Sequence, residues 1–269
     1  MRRRTLLSLP ALGALAWAWS ACAPGPEEVP PVPADATEPR RVAYGDDPSQ
    51  FAELGLPAGA PRGVAVVVHG GFWKAEYGIE YAQPLVPSLL GAGWATWAVE
   101  YRRVGNGGGV PQTLDDLRAA MARLSEEGIE GPVVAVGHSA GGHLATWLAS
   151  QDLPQPLTHV VSQAGVLDLV AADDEGLGGG AVAAFLGHRP GPADADVDPF
   201  RQVPLDVPVW CVHGTGDGIV PISQSQAYVD AATAAGGTAE LVEVEGDHFV
   251  VIDPASDAWA RTLEILDSI

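Results

Sequence analysis

One lysine, Lys74, and two cysteines, Cys22 and Cys211, are all that this chain of 269 residues contains of either type. Fourteen basic residues face 34 acidic ones, a formal net charge of −20. That deficit of positive charge excludes a general nucleic-acid binder, which needs a basic stripe to neutralise phosphates. It equally excludes docking on anionic lipid through a basic patch. Two cysteines cannot build a disulfide scaffold or a cysteine-based zinc module. No H-E-x-x-H occurs, and His138 and His143 lack acidic partners at ligand spacing, so no metal or cofactor is expected. Gly105-Asn-Gly-Gly-Gly109 lacks the following Lys-Ser/Thr of a phosphate loop. What the chain does have is apolar material, 47% of its residues, enough for a large core and too much for disorder.

The only long apolar run is at the start. Arg2, Arg3 and Arg4 precede an apolar stretch from Thr5 to Ser20 that Pro10 interrupts, followed by Ala21 and Cys22. It is short for a membrane span, which needs about 20 residues, and has the layout of an export signal over residues 1–21. The adjacent arginines suit either the general or the twin-arginine route. Trp19-Ser20-Ala21-Cys22 resembles the lipobox of bacterial lipoproteins, which implies Cys22 as the lipidated N-terminus; simple secretion is the alternative. Residues 22–40, rich in proline and acid, read as a stiff solvated linker. Cys211 lies in an apolar run and reads as a small core residue.

From 41 to 269 the pattern is one of alternating strands and helices. Near-continuous β-branched or apolar runs occur at 63–69, 94–101, 132–137, 158–165, 207–213 and 239–245. Strands apolar on both faces belong to a buried parallel sheet. Helical periodicity occupies 111–127, 140–150, 222–235 and 258–265, and 41–56 supplies two leading antiparallel strands. The fold class is therefore α/β, a doubly wound, mostly parallel sheet flanked by helices. The stretch between Val170 and Phe200 breaks the rhythm with six acids and a Gly178-Gly179-Gly180 run. Only a short helix at 181–186 is expected there, and the segment reads as a partial lid with an acidic rim. Such a rim predicts a preference for neutral or cationic substrates.

Gly137-His138-Ser139-Ala140-Gly141 matches G-x-S-x-G between a strand and a helix. The glycines permit a turn that lifts the Ser139 hydroxyl above the sheet. A serine hydroxyl needs a base, and His248 follows the last strand. Asp217, after the 207–213 strand, orients that histidine; Asp247 is a weaker rival, because adjacent side chains diverge. The order Ser139, Asp217, His248 is the α/β-hydrolase order. Val68-His69-Gly70-Gly71-Phe72-Trp73 follows the first parallel strand, and its glycines let backbone amides turn inward. The amides of Gly71, Phe72 and Ala140 are expected to form an oxyanion hole, with His69 bracing the loop. Trp73, Phe72 and Phe249 line the acyl pocket or else belong to the core. Glu100, Arg102 and Arg103 read as a structural ion-pair group, and Asp168 as either a cleft-side acid or a helix cap.

His69-Gly-Gly-Phe-Trp73, Tyr101-Arg102, Gly137-His-Ser-Ala-Gly-Gly142, Asp217-x-x-Val-Pro221 and the late His248 together resemble the α/β-hydrolases related to kynurenine formamidase and the HGG-loop carboxylesterases. The resemblance covers about 41–269 and implies an α/β-hydrolase fold, the Ser139–Asp217–His248 triad and a small-molecule ester, formamide or other activated amide as substrate. A short-peptide peptidase and a non-catalytic binding protein on the same scaffold are the competing readings. Oligomeric state is not legible.

Overall fold

The architecture is that of a computed structural model, described over residues 37–269; the export signal, Cys22 and the linker as far as residue 36 lie outside the described residues. Eight strands and seven helices follow one another as β1 (Thr37–Ala43), β2 (Phe51–Leu56), β3 (Val64–Val68), α1 (Val86–Gly91), β4 (Ala95–Val99), α2 (Gln112–Ser125), β5 (Val133–His138), α3 (Ala140–Leu148), β6 (His159–Gln163), α4 (Leu169–Asp174), α5 (Ala181–Leu186), β7 (Val209–Gly214), α6 (Ser223–Ala234), β8 (Ala239–Val244) and α7 (Asp257–Asp267). They form one sheet in the order β1-β2-β4-β3-β5-β6-β7-β8. β1 and β2 are antiparallel to each other, and β2 to β4, while β4 through β8 run parallel. β1 begins at Thr37, so the folded domain reaches back before Arg41 into the expected linker.

Every residue of β3, β4 and β5 is buried, as expected of strands covered on both faces. Their side chains alternate between two cores. Val64, Val66 and Val68 face the layer of α2, α3, α5 and α6, where Leu117, Leu144, Trp147, Phe185 and Tyr228 pack. Ala65 and Val67 face the layer of α1 and α7, with Leu89, Leu90, Trp259 and Leu266. The helical face expected on α2, with Leu114, Leu117, Ala120, Met121 and Leu124, is the buried one. All nine residues of α3 are buried, so this helix is enclosed on every side.

The chain runs from β3 to β4 on one side, then crosses to β5 on the other side of β3. At such a reversal the connections leave in opposite directions and open a crevice beyond the carboxyl ends of the two strands. The HGG loop leaves β3 there, and the G-x-S-x-G turn leaves β5.

The ion-pair group divides in two. Arg103 pairs with Glu100, whereas Arg102 turns to Asp116 on α2, with Nη2 2.6 Å from Oδ1. The 170–200 excursion holds more regular structure than expected: α4 as well as α5. Asp168 is the cap of α4, its Oδ1 accepting from the Ala171 amide at 2.9 Å. The excursion is pinned to α3 one turn apart, by His143 Nε2–H on the Val197 carbonyl (2.9 Å) and Trp147 Nε1–H on the Asp196 carbonyl (3.0 Å). Burial pulls the His143 imidazole down to about 4, so it stays the neutral donor this contact needs.

Asp198 is 1% exposed, accepts the Leu169 amide on Oδ1 and lies 3.3 Å from Arg201 on Oδ2. Burial outweighs these contacts and raises its carboxyl to about 6. A raised acid pKa means that the folded state holds the proton more tightly than the unfolded chain. Stability is then fullest below the unfolded value and falls as pH rises through about 6. Asp198→Asn is expected to leave the unfolding free energy little changed at pH 4. Above pH 7 it should raise it by at most about 3 kcal/mol, one pKa unit being about 1.4 kcal/mol. Urea denaturation across that range measures the difference.

Candidate active site

Ser139 stands between β5 and α3 with φ 57° and ψ −120°, a backbone conformation that costs a non-glycine residue on the order of 1–3 kcal/mol. It is held there from two sides. Its amide donates to the Gln163 carbonyl of β6 at 2.8 Å, and its carbonyl accepts from Gly142 at 2.9 Å and Val166 at 3.3 Å. Gly141 lies so close to β3 that a Cβ on it would fall 2.1 Å from the Val68 carbonyl oxygen. Gly70 meets the nucleophile turn in the same way: a Cβ there would fall 2.8 Å from the His138 carbonyl oxygen and 2.9 Å from Ser139 Cβ. The two loops therefore touch backbone to backbone, which only glycine allows.

The candidate base lines the same crevice, and its acid partner is bound to it. His248 Nδ1–H donates to Asp217 Oδ2 at 2.6 Å, leaving Nε2 for the cleft, where His248 and Ser139 are both wall residues. The Asp217 side chain is fully shielded and its second oxygen accepts the Ile219 and Val220 amides, each at 2.8 Å. Burial alone would raise this carboxyl. Hydrogen bonds from His213, His248 and the two amides outweigh it and hold the group well below the usual carboxylate range. Asp247 instead turns back on its own loop, accepting from the Phe249 and Val250 amides. His138 Nε2–H donates to the His248 carbonyl at 2.9 Å and fixes the loop that carries the base. Burial, helped by His248 nearby, lowers the His138 imidazole to about 3 and keeps it neutral.

Gly71 and Phe72 line the cleft beside Ser139, and Ala140 is the first residue of α3, where an amide has no intrahelical acceptor. Among the described residues none of these three amides has another recorded partner, so they are available to a developing oxyanion, aided by the helix dipole. A buried polar group braces the loop from behind. His69 Nδ1 lies 2.8 Å from the Gly70 carbonyl, Arg103 Nη1 lies 3.2 Å from His69 Nε2, and Tyr101 stacks on the His69 ring while its hydroxyl donates to the His69 carbonyl. Burial would raise the Glu100 carboxyl, but His69, Arg103 and the Ile79 amide outweigh it and hold it ionised. Lys74 donates to the Gly178 carbonyl at 2.7 Å and ties the same loop to the excursion.

The cleft, about 120 Å³, is lined by Gly70, Gly71, Phe72, Tyr77, Tyr81, His138, Ser139, Ile219, His248 and Phe249. Phe249 is a wall residue, as expected of a pocket side chain. Trp73 is not: it is wholly buried, stacked on Phe185 at 4.6 Å and edge-on to His143, so its place is the core between the HGG loop and α5. The reason is the turn itself, which points Phe72 and Trp73 in opposite directions. The excursion is a buttress under Phe72, not a lid over Ser139, and none of its acids lines the cleft. The expected acidic rim is therefore not part of the cleft wall, which holds no Asp, Glu, Lys or Arg. Tyr77, Tyr81 and Ile219 went unnoticed in the sequence, since nothing local distinguishes them from surface residues. Among the described residues no group of three or more His, Cys, Asp or Glu is placed to hold a metal ion.

The geometry separates the two candidate acids. Asp217→Asn is expected to lower kcat for an activated ester by about 10³–10⁴ by disturbing the His248 tautomer. Asp247→Asn should leave kcat within about threefold, because Asp247 is exposed and an amide oxygen can still accept from the Phe249 and Val250 amides. Steady-state hydrolysis of a p-nitrophenyl ester by the two folded variants measures this.

Residues 54–231 match the family model BD-FAE. Among curated proteins the chain is 26% identical over 245 residues to esterase LipC of Mycobacterium tuberculosis, covering 78% of this chain and 60% of LipC. It is 25% identical to the probable carboxylic ester hydrolase LipM of the same organism, covering 77% and 54%. The chain thus spans little more than half the length of these relatives. Among solved structures, esterase B from Lactobacillus rhamnosis superposes with TM-score 0.74 at 23% identity, over 88% of this chain and 86% of that one. A truncated carbohydrate esterase from gut microbiota gives TM-score 0.73 at 19% identity, over 87% and 96%. With the fold, the strained serine turn and the family match in agreement, the chain belongs to the BD-FAE family of α/β-hydrolases.

Proposed function

We propose that this protein is a serine hydrolase that cleaves a neutral carboxylic ester through an acyl-enzyme on Ser139. The observation that carries the reading is His248, bound to the shielded Asp217 carboxylate through Nδ1 at 2.6 Å and sharing a cleft with a serine on a strained turn. His248 Nε2 takes the Ser139 proton as Oγ bonds to the substrate carbonyl carbon. The carbonyl electrons move to oxygen, which the amides of Gly71, Phe72 and Ala140 receive. Collapse breaks the bond to the leaving alcohol, which takes the proton from His248. Water, activated by the same histidine, then releases the carboxylic acid and restores Ser139. Asp217 stays ionised throughout and keeps the imidazole in register.

The walls narrow the substrate. Tyr77, Tyr81, Ile219 and Phe249 are each between 36% and 47% exposed and all line the cleft, so four of the five large exposed apolar side chains among the described residues gather there. No acid or base other than histidine is among them, which favours an uncharged apolar ester over a carboxylate or ammonium substrate. The curated relatives LipC and LipM, named as esterases, support the same reaction. Formamides and other activated amides pass through the same tetrahedral chemistry and come second.

Ser139→Ala is expected to abolish p-nitrophenyl ester hydrolysis and labelling by a fluorophosphonate, with the fold retained. Retention of wild-type turnover by that variant would overturn the reading. A panel of acyl esters of rising chain length beside N-formylkynurenine separates an esterase from a formamidase by kcat/KM.

We further propose that the chain is exported and anchored through Cys22, supported by the Arg2–Arg4 cluster, the short apolar run and the Trp19–Cys22 sequence. Expressed in a bacterial host, the full chain should incorporate radiolabelled palmitate and partition with membranes. Cys22→Ser should lose both properties; unchanged labelling of that variant would overturn the anchor.

A further inference from the structure

Behind the triad lies a second buried histidine that the hydrolytic steps do not use. His213 belongs to β7, and its ring is fully buried. Nε2 lies 2.9 Å from the Val220 carbonyl and 3.3 Å from Asp217 Oδ2. Both are acceptors, so Nε2 carries a proton and shares it between them. Nδ1 lies 2.7 Å from Ser225 Oγ on α6. In the neutral ring Nδ1 is the acceptor, and the Ser225 hydroxyl donates to it. Ser225 thereby selects the tautomer that aims a donor at Asp217.

A chain of polar contacts runs from α6 to the cleft: Ser225 to His213 by a hydrogen bond, His213 to Asp217 by a 3.3 Å contact, and Asp217 to His248 by a hydrogen bond. Asp217 Oδ1 accepts two amides, and Oδ2 accepts His248 Nδ1–H and faces His213 Nε2 at 3.3 Å. A buried imidazole is a costly way to fill core volume unless both nitrogens are used, and here both are. A leucine or phenylalanine in its place would remove the donor from the Val220 carbonyl and the polar neighbour from Asp217 Oδ2.

We propose that His213 is a positioning residue of the hydrolytic site, holding the Asp217 carboxylate and sharing its charge, with Ser225 setting its tautomer. The proposal rests on the hydrolase reading above. It has a consequence in the pH profile. A carboxylate whose charge is shared with His213 lends less basicity to His248. Removing the His213 donor concentrates that charge on the His248 contact and raises the pH at which His248 loses its proton.

The other titratable groups packed around this chain are His138 on β5, its ring 4.6 Å from that of His248, Cys211 on β7, Tyr228 on α6, and the exposed Asp247 beside His248. Burial lowers His138 to about 3, raises Cys211 to about 12 and pushes Tyr228 up as well. These three therefore hold one charge state across the pH range in which a histidine base works, about pH 5 to 9.

The experiment measures kcat and KM for p-nitrophenyl butyrate against pH in the full chain and in S139A, H213F, H213Q and S225A. H213F is expected to lower kcat at pH 7 by about 10- to 100-fold, as for other buried partners that orient a functional side chain. KM should change less than about twofold, and the acid limb of kcat/KM should move upward. H213Q, which keeps an N–H donor near the Nε2 position, should recover much of the activity and return the limb towards its original position. S225A should move the limb the same way by a smaller amount. Where H213F does not fold, S225A, which removes one hydroxyl, decides. A folded H213F or S225A with the wild-type acid limb overturns the proposal while leaving a Ser139-dependent activity intact. An S139A protein as active as the wild type overturns the hydrolase reading and the proposal with it.

Discussion

Ser139 sits in a backbone conformation that an L-residue rarely adopts, with φ 57°, and the site is organised around keeping it there. Two neighbouring strands do the holding. β6 supplies the Gln163 carbonyl for its amide, and β3 approaches so closely that Gly141 has no room for a side chain. The strain is sustained because the sheet over-determines the turn. In return, Ser139 stands just beyond the carboxyl end of β5, at the start of α3, and lines the cleft. The reversal of strand order between β3 and β5 makes this arrangement possible, since it brings two glycine-rich loops to one point.

Electrostatically the protein is divided. Its acid excess is carried by exposed side chains and by the excursion, where Asp173 and Asp174 pair with Arg189. The cleft itself is apolar. Around it four of the seven histidines, His69, His138, His213 and His248, each use ring nitrogens on backbone or acidic partners. His138 is kept uncharged by burial, which makes it a fixed donor instead of a second base. Of these four, His248 is the one whose Nδ1–H is bound to the Asp217 carboxylate. Division of labour among chemically identical side chains follows from burial and hydrogen-bond partners alone.

Much of the sheet was legible because strands buried on both faces announce themselves as continuous apolar runs, and α2 because its apolar face repeats with helical period. The excursion was legible only as an interruption. Its α4 is only six residues long and is capped locally by Asp168, while the tie of the segment to α3, His143 on the Val197 carbonyl, is made by residues far apart in the chain. Trp73 was misplaced for a related reason. Its neighbours in sequence point to the cleft, but consecutive left-handed residues at Phe72 and Trp73 send the two rings apart. His213 carried a weak signal, a histidine near the end of an apolar strand, shortly before the candidate acid Asp217.

The sequence by itself determined the chemistry of the reacting groups: a serine between two glycines at a strand–helix junction, an acid and a histidine in hydrolase order after later strands, and a glycine pair after the first parallel strand. These are local facts, because a strained turn needs particular residues at particular positions. The tertiary structure alone decided which aromatics wall the cleft and which fill the core, that the acidic excursion buttresses the oxyanion loop without covering the serine, and that a second histidine supports Asp217. Those outcomes depend on contacts between segments far apart in the chain, formed only when the sheet brings β3, β5, β7 and α6 together. No pattern within one segment encodes the distance to another.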